Sequence, residues 1–110
     1  MIRLIIAVFT ITGYCNLSCD KPPTHPAYAV MANGEYTHQG AIACPPKIPL
    51  GTEVYLPIGK FICEDRGGAI KGNRLDIWFP SCKEAREWGR KEMVGMVIHK
   101  DSLWGPLQGF

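Results

Sequence analysis

A small, mainly β, closed barrel with one short α-helix is the fold class this 110-residue chain predicts. Three observations lead there. Twelve glycines and nine prolines in so short a chain impose many turns and short extended segments. Runs of β-branched and aromatic residues alternate with polar neighbours at period two in several places. A strong helix-start signature occurs once, at Ser81. About six strands and one helix then fit a barrel better than a helical bundle. The length suits one domain, residues 1–110, burying roughly 60–70% of its unfolded surface, and a monomer is expected.

The first strand is expected over residues 2–12, where Ile, Val, Phe and Thr dominate. The same stretch has features of a short leader: Arg3, an apolar run over 4–11, and a lipoprotein-like Cys15. Tyr14 stands where a cleavage site wants a small residue, which favours the strand. The run is too short for the roughly 20 residues of a membrane span, so no span is expected.

"CNLSCDKPPTHPAY" is loop by composition, and Asn33-Gly34 marks a turn in "MANGEYTHQG". "AIAC" is a short buried strand, and "PPKIPLG" a connection stiffened by three prolines. A hairpin turning at residues 57–60 follows, with Val54, Leu56 and Ile58 on one face and Phe61 and Cys63 resuming the period. "RLDIWF" is a strand with Leu75, Ile77 and Phe79 on one side and Asp76 and Trp78 on the other. Ser81 is the N-cap of the helix, with Glu84 as capping-box partner, Ala85 and Trp88 on one face, and Gly89 or Gly95 as its end. "MVGMVI" closes the barrel and "HKDSLWGPLQGF" is a tail or final edge.

A formal charge of +2 with scattered Lys and Arg argues against a nucleic-acid partner. Five cysteines suit an oxidising compartment with one or two disulfides, or simply buried thiols, the odd count leaving at least one cysteine unpaired within the chain. There is no Cys-x-x-Cys pair, and His25, His38 and His99 follow no ligand spacing, so no metal site is expected. His38, beside the turn, is the histidine placed to line a groove.

Asp65 and Asp76 each lie at or inside an otherwise apolar strand, where an ionised carboxylate is costly unless paired or facing a cleft. One reading is structural: Asp65 accepts turn N–H groups and Asp76 pairs with Arg74 or Lys71. The other is chemical: Gly67 and Gly68 let the chain bend so that both carboxylates meet one pocket, the equipment for cleaving a glycosidic bond.

The stretch "IPLGTEVYLPIGKFICEDRGGAIKGNRLDIWF", followed by "EAREWG", resembles the three-aspartate domain (3D domain) and its Asp-x-Gly-Gly-Ala-Ile-Lys-Gly-Asn-Arg-(Ile/Leu)-Asp signature. The likeness is strongest over residues 42–88; "TITGYC" and "MANGEYTHQG" are similar to two further family segments. It implies a six-stranded double-psi β-barrel related to lytic transglycosylase A and to stationary-phase cell-wall enzymes. Such proteins cleave peptidoglycan glycan strands between N-acetylmuramic acid and N-acetylglucosamine, leaving a 1,6-anhydro ring. By position, Asp76 matches the principal acid/base and Asp65 its supporting carboxylate; Gly67, Gly68, Lys71 and Asn33 are expected in the groove. Trp78, beyond Asp76 on the same face, is placed to stack on a sugar. No metal or organic cofactor is implied, and the location is the cell envelope or outside the cell.

The family's first aspartate precedes a proline just before Ile-Pro-Leu-Gly, where this chain has Cys44. Cys63, two residues before Asp65, is expected on the same side of its strand, which makes a Cys44–Cys63 disulfide near the pocket an expectation. Cys44 also supports a rival reading, an expansin-like or barwin-like barrel that binds glycan without cleaving it. A dimeric aspartic protease, for which "DRG" is the only cue, is disfavoured because Arg66 stands where a hydroxyl residue belongs.

Overall fold

The computed structural model describes residues 2–18 and 21–100, the side chains of residues 18, 99 and 100 excepted. The expected tail beyond residue 100, Trp104, Cys19 and the imidazole of His99 therefore lie outside the described residues. The elements in chain order are β1 (Ile2–Tyr14), a 3-10 turn (Asn16–Ser18), β2 (Ala41–Ala43), β3 (Glu53–Leu56), β4 (Gly59–Asp65), β5 (Arg74–Trp78), α1 (Cys82–Trp88) and β6 (Lys91–Lys100).

The strands close into a barrel in the order β1-β5-β2-β4-β3-β6. This is the mainly β, six-stranded closed barrel with one short helix that the sequence predicts. Two neighbouring pairs, β1·β5 and β2·β4, are parallel, and the other four are antiparallel. β5 lies between β1 and β2, and β2 lies between β4 and β5, so the connections from β1 to β2 and from β4 to β5 each pass an intervening strand. They carry the loop segments that flank the candidate site.

Period-two alternation fills the interior. Phe9 and Ile11 of β1, Ile42 of β2, Val54 of β3, Cys63 of β4, Leu75 and Ile77 of β5 and Val97 of β6 form one buried cluster. Residues between them point outwards. On β1 the outward set includes Ile2, Leu4, Ile6 and Val8, all more than half exposed. The hairpin turns through Pro57 and Ile58 between the paired residues Leu56 and Gly59. Ile58 is thus an exposed turn residue, and the alternation expected to include it ends at Leu56.

The helix start is as expected: Ser81 Oγ accepts from the Glu84 N–H at 3.2 Å and donates to Glu84 Oε2 at 2.9 Å. Gly89, with φ 70°, ends the helix. Ala85 is buried, and the Trp88 ring packs 5.8 Å from Phe79 while its Nε1–H donates to Ile11 O at 3.1 Å. A Cys15–Cys82 disulfide ties the end of β1 to the start of α1.

Gly95 serves packing instead. It sits in β6 opposite Ala7, and a Cβ there would lie 2.9 Å from both Leu56 Cδ2 and Phe9 Cδ2. We therefore expect Gly95→Ala to lower the unfolding free energy by about 1–3 kcal/mol, because the neighbours are buried and must shift. Denaturant titration checks this, and an unchanged midpoint would contradict it.

Candidate functional site

Four strands place Asp65 and Asp76 on the outer wall of the barrel. Asp76 is paired with Thr12 of β1 on one side and Ala43 of β2 on the other, and Ala43 is paired with Asp65 of β4. Thr12, Asp76, Ala43 and Asp65 thus form one row across four adjacent strands. With strands ~4.8 Å apart, the two aspartate Cα atoms stand roughly 10 Å apart. The residue between them is Ala43, a small side chain that is itself buried. Tyr14, Ala43 and Ile70, with Trp78 against them, make an apolar floor separate from the barrel interior.

Asp65 is held by three donors. Its Oδ1 accepts from the N–H of Ala32 at 3.0 Å and of Arg66 at 2.9 Å, and its Oδ2 accepts from the Tyr14 hydroxyl at 2.9 Å. The Arg66 bond is the turn contact of the structural reading. The Ala32 bond pins a distant loop onto the site. That loop is fastened further by Asn33 N–H to Glu64 O at 3.1 Å and by the His38–Glu64 pair. The His38 imidazole is held above its usual range by its bond to Gln39 O and then by Glu64. Trp78 Nε1–H and the Thr37 hydroxyl both donate to Asn16 Oδ1, at 2.9 and 2.8 Å, joining β5, β1's extension and the loop.

Asp76 differs. It accepts one hydrogen bond, at Oδ1, from the Thr12 hydroxyl at 3.0 Å. Burial raises its carboxyl above the ordinary aspartate value of 3.8; the Thr12 bond and the Arg74 charge oppose this, and the Asp65 charge adds to it. Two carboxyl groups on one face therefore have different environments, one saturated with donors and one partly desolvated with an open oxygen.

The other expected groove residues divide. Asn33 is exposed in the turn that follows the Ala32 bond, and Gly67, Gly68 and Lys71 are exposed on the connection from β4 to β5. Gly67 has a steric requirement, since a Cβ would lie 2.9 Å from Ile70 Cγ1, whereas at Gly68 it would meet open space. His25 is exposed, its Nδ1 accepting from Ala27 N–H at 3.0 Å, away from the pair.

Of two linked expectations, one holds and one is corrected. The Cys44–Cys63 disulfide is present. Cys63, however, does not share a side with Asp65: the β2·β4 register slips between Ile42 and Ala43, so Cys63 pairs with Ile42 and Asp65 with Ala43. Glu64 is the extra residue of a bulge, and it resets the alternation. Cys44 and Cys63 are both fully buried in the interior cluster, beneath the wall that carries the carboxyl groups.

The sequence gives no site role to Thr12, Tyr14 or Ala43, and Arg74 enters it only as a pairing partner of Asp76 in the structural reading. The alternation in "FTITGY" puts Thr12 and Tyr14 opposite Ile11, which was available, but their pairing with β5 is a long-range fact. A cavity of ≈ 430 Å³ lies elsewhere, between the end of β1 and α1, lined by Cys15, Leu17, Cys82 and Arg86 among others. It contains neither aspartate.

A closed six-stranded barrel with a carboxyl pair on its outer wall defines the class. The 3D domain family profile matches residues 40–99, and the chain belongs to that family. Two proteins of Bacillus subtilis (strain 168) are similar to it. "Cell wall-binding protein YocH" is 43% identical over 56 residues, covering 50% of this chain and 20% of the relative. "Putative cell wall shaping protein YabE" is 36% identical over 83 residues, covering 74% of this chain and 20% of the relative. The chain thus corresponds to about a fifth of each of these longer proteins.

A raised carboxyl pKa has a sign in stability. The folded state binds Asp76's proton more tightly than the unfolded chain, so its contribution is full below the unfolded value near 3.8 and is lost as pH rises through the folded value. We expect Asp76→Asn to stabilise the protein above that window and to leave stability unchanged well below it. Thermal unfolding from pH 3 to 8 checks this; parallel curves for the two proteins would contradict it.

Proposed function

We propose that this domain acts on the bacterial cell wall and cleaves the glycan strands of peptidoglycan as a lytic transglycosylase, with Asp76 as acid and then base and Asp65 as its support. The observation that carries this reading is the row Asp76–Ala43–Asp65, in which two carboxyl groups of different environment stand on one face of the wall. Membership of the 3D domain family and the printed names of the two relatives support the cell wall as the place of action. Two disulfides support an oxidising location in the envelope or outside the cell.

The chemistry follows from the environments. Protonated Asp76 gives its proton to the glycosidic oxygen between N-acetylmuramic acid and N-acetylglucosamine as the C1–O bond breaks. Positive charge develops at C1, and Asp65's negative charge across Ala43 favours it. The muramic C6 hydroxyl then attacks C1, and Asp76, now a carboxylate, takes the hydroxyl proton. The products are the departing N-acetylglucosamine end and a 1,6-anhydro ring, and Asp76 is protonated again. An internal hydroxyl held near C1 has an advantage over water through proximity alone. Exposed Asn33, Gly67, Gly68 and Lys71 border the same face and are the groove residues of this reading.

A second reading, glycan binding without cleavage, draws on Cys44 in the family's carboxylate position and on the name of one relative as a wall-binding protein. Digestion of purified peptidoglycan with mass spectrometry of the soluble products separates the two. Anhydromuropeptides are expected from the wild type, and Asp76→Asn is expected to abolish them while still sedimenting with cell walls, since the variant keeps the shape but lacks the transferable proton. Sedimentation without any anhydro product from the wild type would favour the binder.

A further inference from the structure

We infer that Arg74 and Thr12 form a relay that fixes the Asp76 proton on Oδ2, the oxygen not bonded to Thr12, and so act as positioning residues of this site. The inference rests on the catalytic reading of Asp76 for its functional meaning, but its geometry stands alone.

Thr12 has one hydroxyl proton and two possible acceptors, Asp76 Oδ1 at 3.0 Å and Leu75 O at 3.4 Å. Arg74 Nη2 lies 3.4 Å from the same hydroxyl oxygen and only donates. A donor on the oxygen's lone pair turns the hydroxyl proton away from itself, and the nearer acceptor is the carboxyl group. Oδ1 of Asp76 is thereby occupied by an incoming proton and cannot also carry its own towards Thr12 without a clash of hydrogens. The shorter contact to Oδ1 thus favours the acid's proton on Oδ2 over the arrangement in which Thr12 donates to Leu75 O and accepts from Oδ1.

Oδ2 is suited to that. It has no hydrogen bond from a described residue, yet the one buried side-chain nitrogen or oxygen without a partner among the described residues is Arg74 Nε. Oδ2 therefore keeps access to the surface. Arg74 is in turn held in place: it is half-buried on β5, two residues before Asp76 and on the same side of the strand. The charged groups that face Asp76 are Arg74 on its own strand and Asp65 on β4. Beside it, β1 offers the Thr12 hydroxyl, while the Tyr14 hydroxyl donates to Asp65, and β2 offers only the Ala43 methyl.

The test reads the Asp76 carboxyl directly by ¹³C NMR titration in the wild type, Thr12→Val, Thr12→Ser and Arg74→Gln. Thr12→Val and Arg74→Gln are expected to titrate at higher pH than the wild type, because each loses a stabiliser of the carboxylate, and Thr12→Ser to titrate near the wild type. Titration of both Thr12→Val and Arg74→Gln at the wild-type position would overturn the relay. On peptidoglycan, Thr12→Val and Arg74→Gln should lower kcat by roughly tenfold or more with little change in KM and move the alkaline limb of the pH profile, where the acid loses its proton, upwards, and Thr12→Ser should rescue both. If the titrations shift as expected while the wild type yields no anhydro product, the relay stands and the catalytic reading of the previous subsection falls.

Discussion

The slip of one residue in β4 against β2 governs the outer face of this barrel. Without the bulge at Glu64, strict alternation would put Asp65 on the same side as Cys63, inside a closed apolar interior. An ionised carboxylate there would lack both water and partners. With it, Cys63 stays in the core, and Asp65 turns outward to meet Tyr14 from β1 and Ala32 from the long loop. The bulge also frees Glu64 to hold that loop through Asn33 and His38. One inserted residue thus couples the disulfide below the wall, the carboxyl row on it and the loop above it.

That coupling explains why the two aspartates are not equivalent. Asp65 is next to a bulge and a turn, where free backbone N–H groups are available, and two of its three donors are main-chain. Asp76 is in the middle of a regular strand whose backbone groups are used by both neighbours, so only side chains can reach it. The nearest supplies a single hydroxyl. The difference in environment follows from where each residue falls in its strand, and it separates an acceptor with three donors from a partly desolvated carboxyl group with one. The bland and the chemical readings of Asp65 are compatible for the same reason: a turn contact to Arg66 leaves its charge in place facing Asp76.

Much of this was legible in the residues. The two faces of "RLDIW" follow from alternation alone, and the structure keeps them, with Leu75 and Ile77 inside and Asp76 and Trp78 outside. The Ser81 cap follows from short-range chemistry. What resisted was everything set by pairing between distant segments. No local signal says that Thr12 lies beside Asp76, 64 residues away, or that β4 bulges at Glu64. The bulge lacks the glycine that often marks one, so period two carried straight through "FICED" to the wrong side for Asp65. The choice of Gly89 over Gly95 as helix end was open for a similar reason: Gly95's role depends on Phe9 and Leu56 packing over it.

The position of Cys44 bears on how much the missing third carboxylate matters. Its neighbour Ala43 is in the row with Asp65 and Asp76, so Cys44 is one residue out of phase and faces the interior, bonded to Cys63. An aspartate at this position would be buried beneath the pair rather than beside it, and would need a partner there. Arg66 occupies that neighbourhood: its Nη1 donates to Cys44 O at 3.2 Å and Pro45 O at 3.1 Å and lies 3.5 Å from Cys63 Sγ. Desolvation lowers this guanidinium's pKa and the Asp65 charge opposes the shift. In this chain a disulfide with an arginine satisfied by carbonyl groups therefore fills the space beneath the wall. The exchange removes a charge from under Asp65 but leaves all three of its donors, and it leaves Asp76 with Thr12 and Arg74. Residue 44 thus lies beneath the carboxyl row, while Asp76 keeps the surroundings that Thr12 and Arg74 set.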